Sequence, residues 1–299
     1  MIAYFLLVHR YPAQFKRLFK AIYAPGNQYV IHVDKSSGAD LAQDIAAFLA
    51  PYSDVEILEP RDALWGGYSL VEAELRGMAR LLEMDSAWTH YINLSGQDFP
   101  LKGQEYIRQF FAANPGKQFI RALDQRRERP DTMNRVSHLF VEEDGKMTAT
   151  GVARPYLPDA TPFIGTQWKA VTRSFCEFVC HDPRADRFKT FYRNSFIADE
   201  AFFQTVIMNS GDQGIVMNDD LRMIDWVPDG DIKLRRAIMM SATSPFSSTV
   251  RICLRANSIR RRIRTSSRCS KRICARPPPT SINPHVLANS RIRIDLRNH

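Results

Sequence analysis

Along the first hundred residues, apolar positions alternate between continuous runs and a helical period. Ile2–Val8 is an unbroken apolar run, as expected of a strand covered on both faces of a parallel sheet. Pro12 then opens a stretch in which Phe15, Leu18, Phe19 and Ile22 recur at helical spacing. Residues 29–33 predict a second strand, 41–49 a second helix and 55–58 a third strand. Residues 69–82 form a long amphipathic helix on this reading, with Leu70, Ala73, Leu75, Met78, Leu81 and Leu82 as the buried stripe, and 89–94 a fourth strand. Strand–helix–strand units of this length require crossovers of fixed hand and a mostly parallel sheet. Ligands of such sheets sit beyond the carboxyl ends of the strands. Three polar clusters fall there: His9-Arg10, Asp34-Lys35-Ser36-Ser37 and Ser95-Gly96-Gln97-Asp98. No G-x-G-x-x-G follows the first strand and no G-x-x-x-x-G-K-[ST] occurs anywhere, so a Gly-rich phosphate cradle is not supported.

The pattern then loosens. Residues 119–123 and 136–140 predict strands, and Glu142-Glu143-Asp144-Gly145 a turn. Residues 165–171 predict a strand running into a helix that begins near Ser174. Residues 183–192 read as a charged, mobile loop. Ala198-Asp199-Glu200 opens a helix through Phe202, Phe203, Val206 and Ile207, with acids in its first turn where the helix dipole favours them; Asp199 is expected to cap it. His32 points inward on its strand and is expected in the core.

Composition changes this picture only at the C-terminus. The 299 residues carry a net charge of +9. Residues 235–299 hold 15 basic residues against one acid, which leaves 26 Lys and Arg against 31 Asp and Glu in residues 1–234. The body is acidic, and the basic character belongs to the tail, so the overall charge says nothing about the body's ligand. The body's two cysteines, Cys176 and Cys180, have His181 beside them. No second ligand pair follows, so buried thiols are expected rather than zinc. Sparse cysteine fits a reducing compartment. The apolar N-terminal run is too short to span a membrane and has no small-residue cleavage site.

Six segments in order, AYFLLVHRYP, YVIHVDKSS, WGGYSLVEAELRGMARLL, HYINLSGQDFPL, GTQWKAVTRSF and ADEAFFQTVI, resemble the core-2/I-branching N-acetylglucosaminyltransferase and peptide O-xylosyltransferase family, glycosyltransferase family 14. The resemblance spans about residues 1 to 230 and is to a bacterial-type member. It implies a GT-A-like α/β fold with a mostly parallel central sheet. It also implies inverting transfer of GlcNAc or xylose from a UDP-sugar to a hydroxyl of a glycan, polysaccharide or peptide, with no metal and no other cofactor. In agreement, no Asp-x-Asp ends a strand; Asp229-Gly230-Asp231 lies in a late loop. Glu200 stands where the family carries its catalytic base; read alone, it could simply favour the helix dipole. His9 and Asp34 fall at positions that hold the uridine, although a polar residue at a strand end often only satisfies its neighbours. Trp65 falls at the family's aromatic position near the nucleotide, or is an ordinary buried Trp. Asp98 either binds a sugar hydroxyl or caps the turn before Pro100. Arg135 and Trp168 are expected acceptor contacts, or simply pack.

The family neutralises departing UDP with an Arg and a Lys, the latter in a motif resembling L-F-A-x-K-F-D. This chain lacks it. The stretch RANSIRRRIRTSSRCSKRICARPPPT stands there instead, without an acid or an aromatic. A nucleic-acid arm and a disordered tail would both suit that composition. A third origin is a shifted reading frame. Taking the third base of each codon with the first two of the next, RAIMMSATSP can become RNYDERDFP, and FSSTVRICLRANSI can become LLVDSPDLFARKFDP, which contains the missing motif. The break falls between Lys233 and Arg236. The expected organisation is therefore a glycosyltransferase domain over 1–234, incomplete, followed by an out-of-frame, disordered tail over 235–299 that is not a nucleic-acid partner site. The competing functions are a non-catalytic nucleotide- or carbohydrate-binding protein and nucleic-acid binding through the tail. The expected location is cytoplasmic, with room for peripheral contact at the inner membrane face.

Overall fold

A computed structural model describes residues 1–84 and 87–223, together with the backbone of 225–229 and 232–236. The N-terminal alternation forms as the apolar pattern requires: β1 (Ile2–Val8), α1 (Pro12–Ile22), β2 (Gln28–Val33), α2 (Ala39–Leu49), β3 (Val55–Ile57), α3 (Tyr68–Glu83) and β4 (His90–Ser95). The pattern continues with α4 (Gln104–Ala112) and β5 (Lys117–Ile120). Four short elements follow: β6 (Leu123–Asp124), α5 (Gln125–Glu128), α6 (Asn134–Ser137) and β7 (His138–Glu143). Next come β8 (Lys146–Ala153), β9 (Phe163–Ile164), β10 (Lys169–Thr172), α7 (Arg173–His181), α8 (Asp186–Tyr192), α9 (Phe202–Ser210) and β11 (Ile215–Val216). The backbones of β12 (Asp225–Asp229) and β13 (Ile232–Arg236) pair antiparallel. The boundary expected at 234/235 falls within β13. Residues 237–299, Gly230 and Asp231 lie outside the described residues, and with them the tail and most of the Asp-x-Asp-like element.

The main sheet has the order β11-β5-β10-β4-β1-β2-β3. β1 lies between β2 and β4, parallel to both, and β10 alone runs antiparallel between β4 and β5. This is the expected α/β class with a mostly parallel centre. One face packs on α1 and α2 through Phe15, Leu18, Phe19 and Ile22, all fully buried, each contributing roughly 2 kcal/mol. The other packs on α3, α7 and α9 through Val71, Met78, Phe175 and Phe202.

α3 approaches β1 closely at Gly77. A Cβ there would stand 2.2 Å from Phe5 Cδ2. Phe5 is buried on a central strand and cannot swing away, so overpacking, typically about 1–3 kcal/mol, outweighs the roughly 1 kcal/mol of helix propensity that alanine offers. Gly77→Ala is expected to lower the melting temperature by about 2–8 °C in a thermal scan.

Several expectations are corrected. Residues 136–140 do not form one strand, because α6 occupies the first two and β7 begins at His138. Of residues 165–171 only 169–171 are strand, in β10, and β9 ends before them at Ile164; Gly165 N donates to Glu200 O at 2.8 Å, which pulls that segment off the ladder. Residues 183–192 are a 3-10 turn and α8, anchored by buried Phe188 and Tyr192 beneath a charged outer face. Asp199 caps no helix; residues 198–200 are a separate 3-10 turn, and α9 starts after Ala201 without a side-chain cap. His32 is fully buried as expected, and burial lowers its pKa. Cys176 is buried in the core, and burial pushes the Cys180 thiol up to about 12. No helix among the described residues is long and apolar enough to cross a membrane.

His90 begins β4 fully buried, with Nε2 at 3.2 Å from the Lys117 carbonyl and Nδ1 at 3.1 Å from Thr89 Oγ1. Burial pushes its pKa down to about 4, against the usual 6.5. The unfolded chain then binds more protons between those values, so stability is fully present above pH 6.5 and declines as pH falls towards 4, by about 3 kcal/mol from this group. His90→Gln is expected to flatten the acid side of a stability-against-pH curve measured by urea unfolding.

Candidate active site

The carboxyl ends of β1, β2 and β4 bring the first polar clusters together. Asp34 follows β2, and its N donates to Val8 O at 2.8 Å, which closes the ends of β1 and β2 on each other. Its Oδ1 accepts from Ser36 N at 3.0 Å and Ser36 Oγ at 2.9 Å, so the carboxylate is fixed by its own loop. Ser37 Oγ donates to His9 O at 2.9 Å, and His9 Nε2 lies 3.3 Å from Gln97 Nε2. Burial, reinforced by the neighbouring Arg10, holds His9 below the ordinary imidazole range. Asp98 Oδ2 accepts from Ser95 N at 2.9 Å and the residue is almost fully buried. One of its carboxylate oxygens thus holds the turn.

Glu200 enters from the other side. The turn Ala198–Glu200 is set by Ile197, a β-branched residue at φ 52°, ψ 52°, where such side chains are strained. Ile197 N donates to Gly66 O at 2.7 Å, which secures that conformation. Arg135 Nη1 donates to Glu200 Oε2 at 3.1 Å, both side chains about one-fifth exposed. Arg135 O accepts from Phe196 N, so the same residue fixes both ends of the strained segment. Of the residues expected from sequence, Glu200 and Arg135 are therefore directly paired.

The two glycines of WGG each make room for this side of the site. Gly66 has φ +79°, and a Cβ there would meet Phe196 at 2.8 Å; a Cβ on Gly67 would meet the Glu142 carboxylate at 2.5 Å. Glu142, from β7, accepts from Ser69 N at 2.9 Å and satisfies an amide at the start of α3. Trp65 is 71% exposed, its ring edge-on to Phe196 at 5.8 Å, and is not the buried Trp of the bland alternative. Trp168 is the reverse. It is 3% exposed, with the Arg222 guanidinium 5.3 Å from its ring.

A cavity of about 350 Å³, open solvent included, lies at the carboxyl end of β4 and is lined in part by Asp199, the neighbour of Glu200. Leu7, Leu70, Leu94 and Trp168 line it together with Asn93, Gln167, Glu74 and Asp199. Beneath it, Lys169 is fully buried and donates to Glu74 Oε1 at 2.7 Å, Glu74 Oε2 at 2.9 Å and Gln167 O at 2.8 Å. Burial lowers the Lys169 pKa, and Glu74 opposes that. Sequence reading missed this pair. Its signal was a Glu on the apolar stripe of α3 and a lone Lys at the head of an apolar strand.

The family model described as Core-2/I-Branching enzyme matches residues 2–253. Xylosyltransferase 2 of Canis lupus familiaris and of Homo sapiens are each 34% identical over 230 residues, covering 75% of this chain and 26% of theirs. Xylosyltransferase 1 of Canis lupus familiaris is 33% identical over 231 residues, covering 75% of this chain and 24% of that protein. The chain thus matches about a quarter of the length of these relatives. With a family match across most of its residues, the chain belongs to the Core-2/I-branching enzyme family.

Proposed function

We propose that this chain is a glycosyltransferase domain that moves GlcNAc or xylose from a UDP-sugar to an acceptor hydroxyl with inversion. The observation that carries the reading is the Glu200–Arg135 pair, held by a strained turn beside a cavity at the strand carboxyl ends, in a chain of this family. Glu200 takes the acceptor proton as that oxygen attacks the anomeric carbon. The bond from that carbon to the diphosphate breaks, and UDP leaves with the electron pair. Arg135 orients the carboxylate through a charge-assisted hydrogen bond. His9 and Asp34 hold the nucleotide at the ends of β1 and β2. Trp65, exposed on the Phe196 ledge, suits an acceptor platform better than buried Trp168, since sugars and peptides stack on open aromatic faces.

The leaving group is the weak point. The basic pair that would stabilise UDP belongs to the region that, in our reading, is translated out of frame after Lys233. Losing such charge stabilisation lowers rates by orders of magnitude. That gives a specific ground for a second reading, a protein that binds nucleotide and sugar without turnover. UDP release from UDP-GlcNAc and UDP-xylose decides between them: transferase activity yields sugar-dependent UDP, whereas pure binding yields none even with the frame restored. Sequencing the gene across codons 230 to 240 tests the frame itself; an uninterrupted frame in independent reads overturns that part.

A further inference from the structure

On the side facing β4, the main chain at residues 167–169 is held by side chains; on the other side Lys169 pairs with Ile120 of β5. β10 pairs with β4 only from Ala170, opposite Ile92. One residue earlier, Asn93 supplies the missing ladder: its Oδ1 accepts from Lys169 N at 2.8 Å and its Nδ2 donates to Gln167 O at 2.8 Å. Gln167 O accepts a second bond, from Lys169 Nζ at 2.8 Å. The other two ammonium protons go to Glu74, whose Oε1 also accepts from Tyr91 Oη at 2.9 Å. The Phe203 ring lies 4.1 Å from the same ammonium.

A buried Lys–Glu pair is a poor stability device, because desolvating two charges consumes most of what their attraction returns, and an apolar pair of similar volume does as well. What this pair accomplishes is positional. It ties α3, through Glu74, to the bulged segment after β9, and pins the backbone carbonyl of Gln167 from a second side. Gln167 lines the cavity, and its carboxamide has no hydrogen-bond partner among the described residues. A carboxamide offers two donors and an acceptor, the complement of adjacent hydroxyls on a pyranose ring. The neighbouring carboxyl groups of Glu74 and Asp199 disfavour an anionic sugar.

We infer that Gln167 is the residue that reads the hydroxyls of the transferred sugar, a neutral pyranose, and that Lys169 is the positioning residue that presents it. The inference rests on the UDP-sugar reading above. Binding to the full chain tests it without requiring turnover. Calorimetry with UDP, UDP-xylose, UDP-GlcNAc and UDP-glucuronic acid is expected to show one neutral sugar tightening binding over UDP by about five- to tenfold, as for one or two good hydrogen bonds, and the uronic acid not doing so. Gln167→Ala abolishes that increment and leaves the UDP affinity unchanged. Glu74→Gln alone keeps the Lys169 tether and keeps the increment. Adding Lys169→Met to it loses the increment, with a melting temperature within a few degrees of the unaltered chain. An increment that survives Gln167→Ala or the double variant overturns the inference, as does tight binding of UDP-glucuronic acid. Failure to bind UDP at all overturns instead the reading on which it rests.

Discussion

Replacing Glu200 by Gln is expected to reduce kcat by about 10²- to 10⁴-fold while leaving the fold intact and the Kd for UDP little changed. The substitution keeps the shape and one acceptor for Arg135 Nη1, now 3.1 Å from a carboxylate oxygen, but removes the only change that matters to the reaction, the ability to take a proton. The turn that carries it depends on the Ile197 backbone and the Gly66 carbonyl rather than on the Glu200 side chain, so its geometry should persist. Steady-state kinetics on a chain with its C-terminal frame restored, combined with a thermal scan, separate the two effects. A variant that keeps full turnover removes Glu200 from the reaction; one that unfolds shows that the ion pair is structural. Arg135→Met serves as the companion. It keeps the base but loses its orientation, so a smaller fall in kcat is expected.

The second large effect concerns the leaving group. Deleting the single-base shift proposed between Lys233 and Arg236 exchanges the basic Arg/Ser stretch for a peptide containing LFARKFD. If that lysine neutralises departing UDP, turnover rises by at least about 10²- to 10³-fold over the chain as it stands, since one well-placed donor or charge at a developing anion is worth that much. His9 and Asp34 are unaffected by the change. Nucleotide affinity should therefore rise less than kcat. Equal activity with and without the correction would show that residues 1–234 already hold everything the reaction needs.

Much of the fold was legible because burial on both faces leaves an unmistakable apolar run, as in Ile2–Val8, and because α1 and α3 carry regular stripes. The misreadings lie where side chains override the local pattern. Residues 165–171 look like one strand, yet Asn93 and Glu200 hold the segment apart. α8 looks like a mobile charged loop because Phe188 and Tyr192 are its only fully committed apolar positions among charged neighbours. α5 and α6 are single turns, too short for a period to declare itself. At the site, motif order pointed to Glu200 and Arg135, and the structure pairs them. No period or motif could show which tryptophan is exposed: Trp65 stands out because the two following glycines bring its loop against Phe196 and Glu142, and Trp168 is covered by Arg222. The Lys169–Glu74 pair joins residues 95 apart in sequence, a distance that only the folded chain spans.

The central claim is that Glu200 drives a single, metal-independent displacement at the anomeric carbon of a UDP-sugar. It is tested most directly by proton NMR of the product formed by the frame-restored protein in the presence of EDTA, from an α-linked UDP-xylose or UDP-GlcNAc donor. The account predicts undiminished transfer and the large coupling constant of a β-linked sugar, with both lost in the Glu200→Gln variant. An α-linked product, or transfer that stops when the metal is chelated, would contradict it.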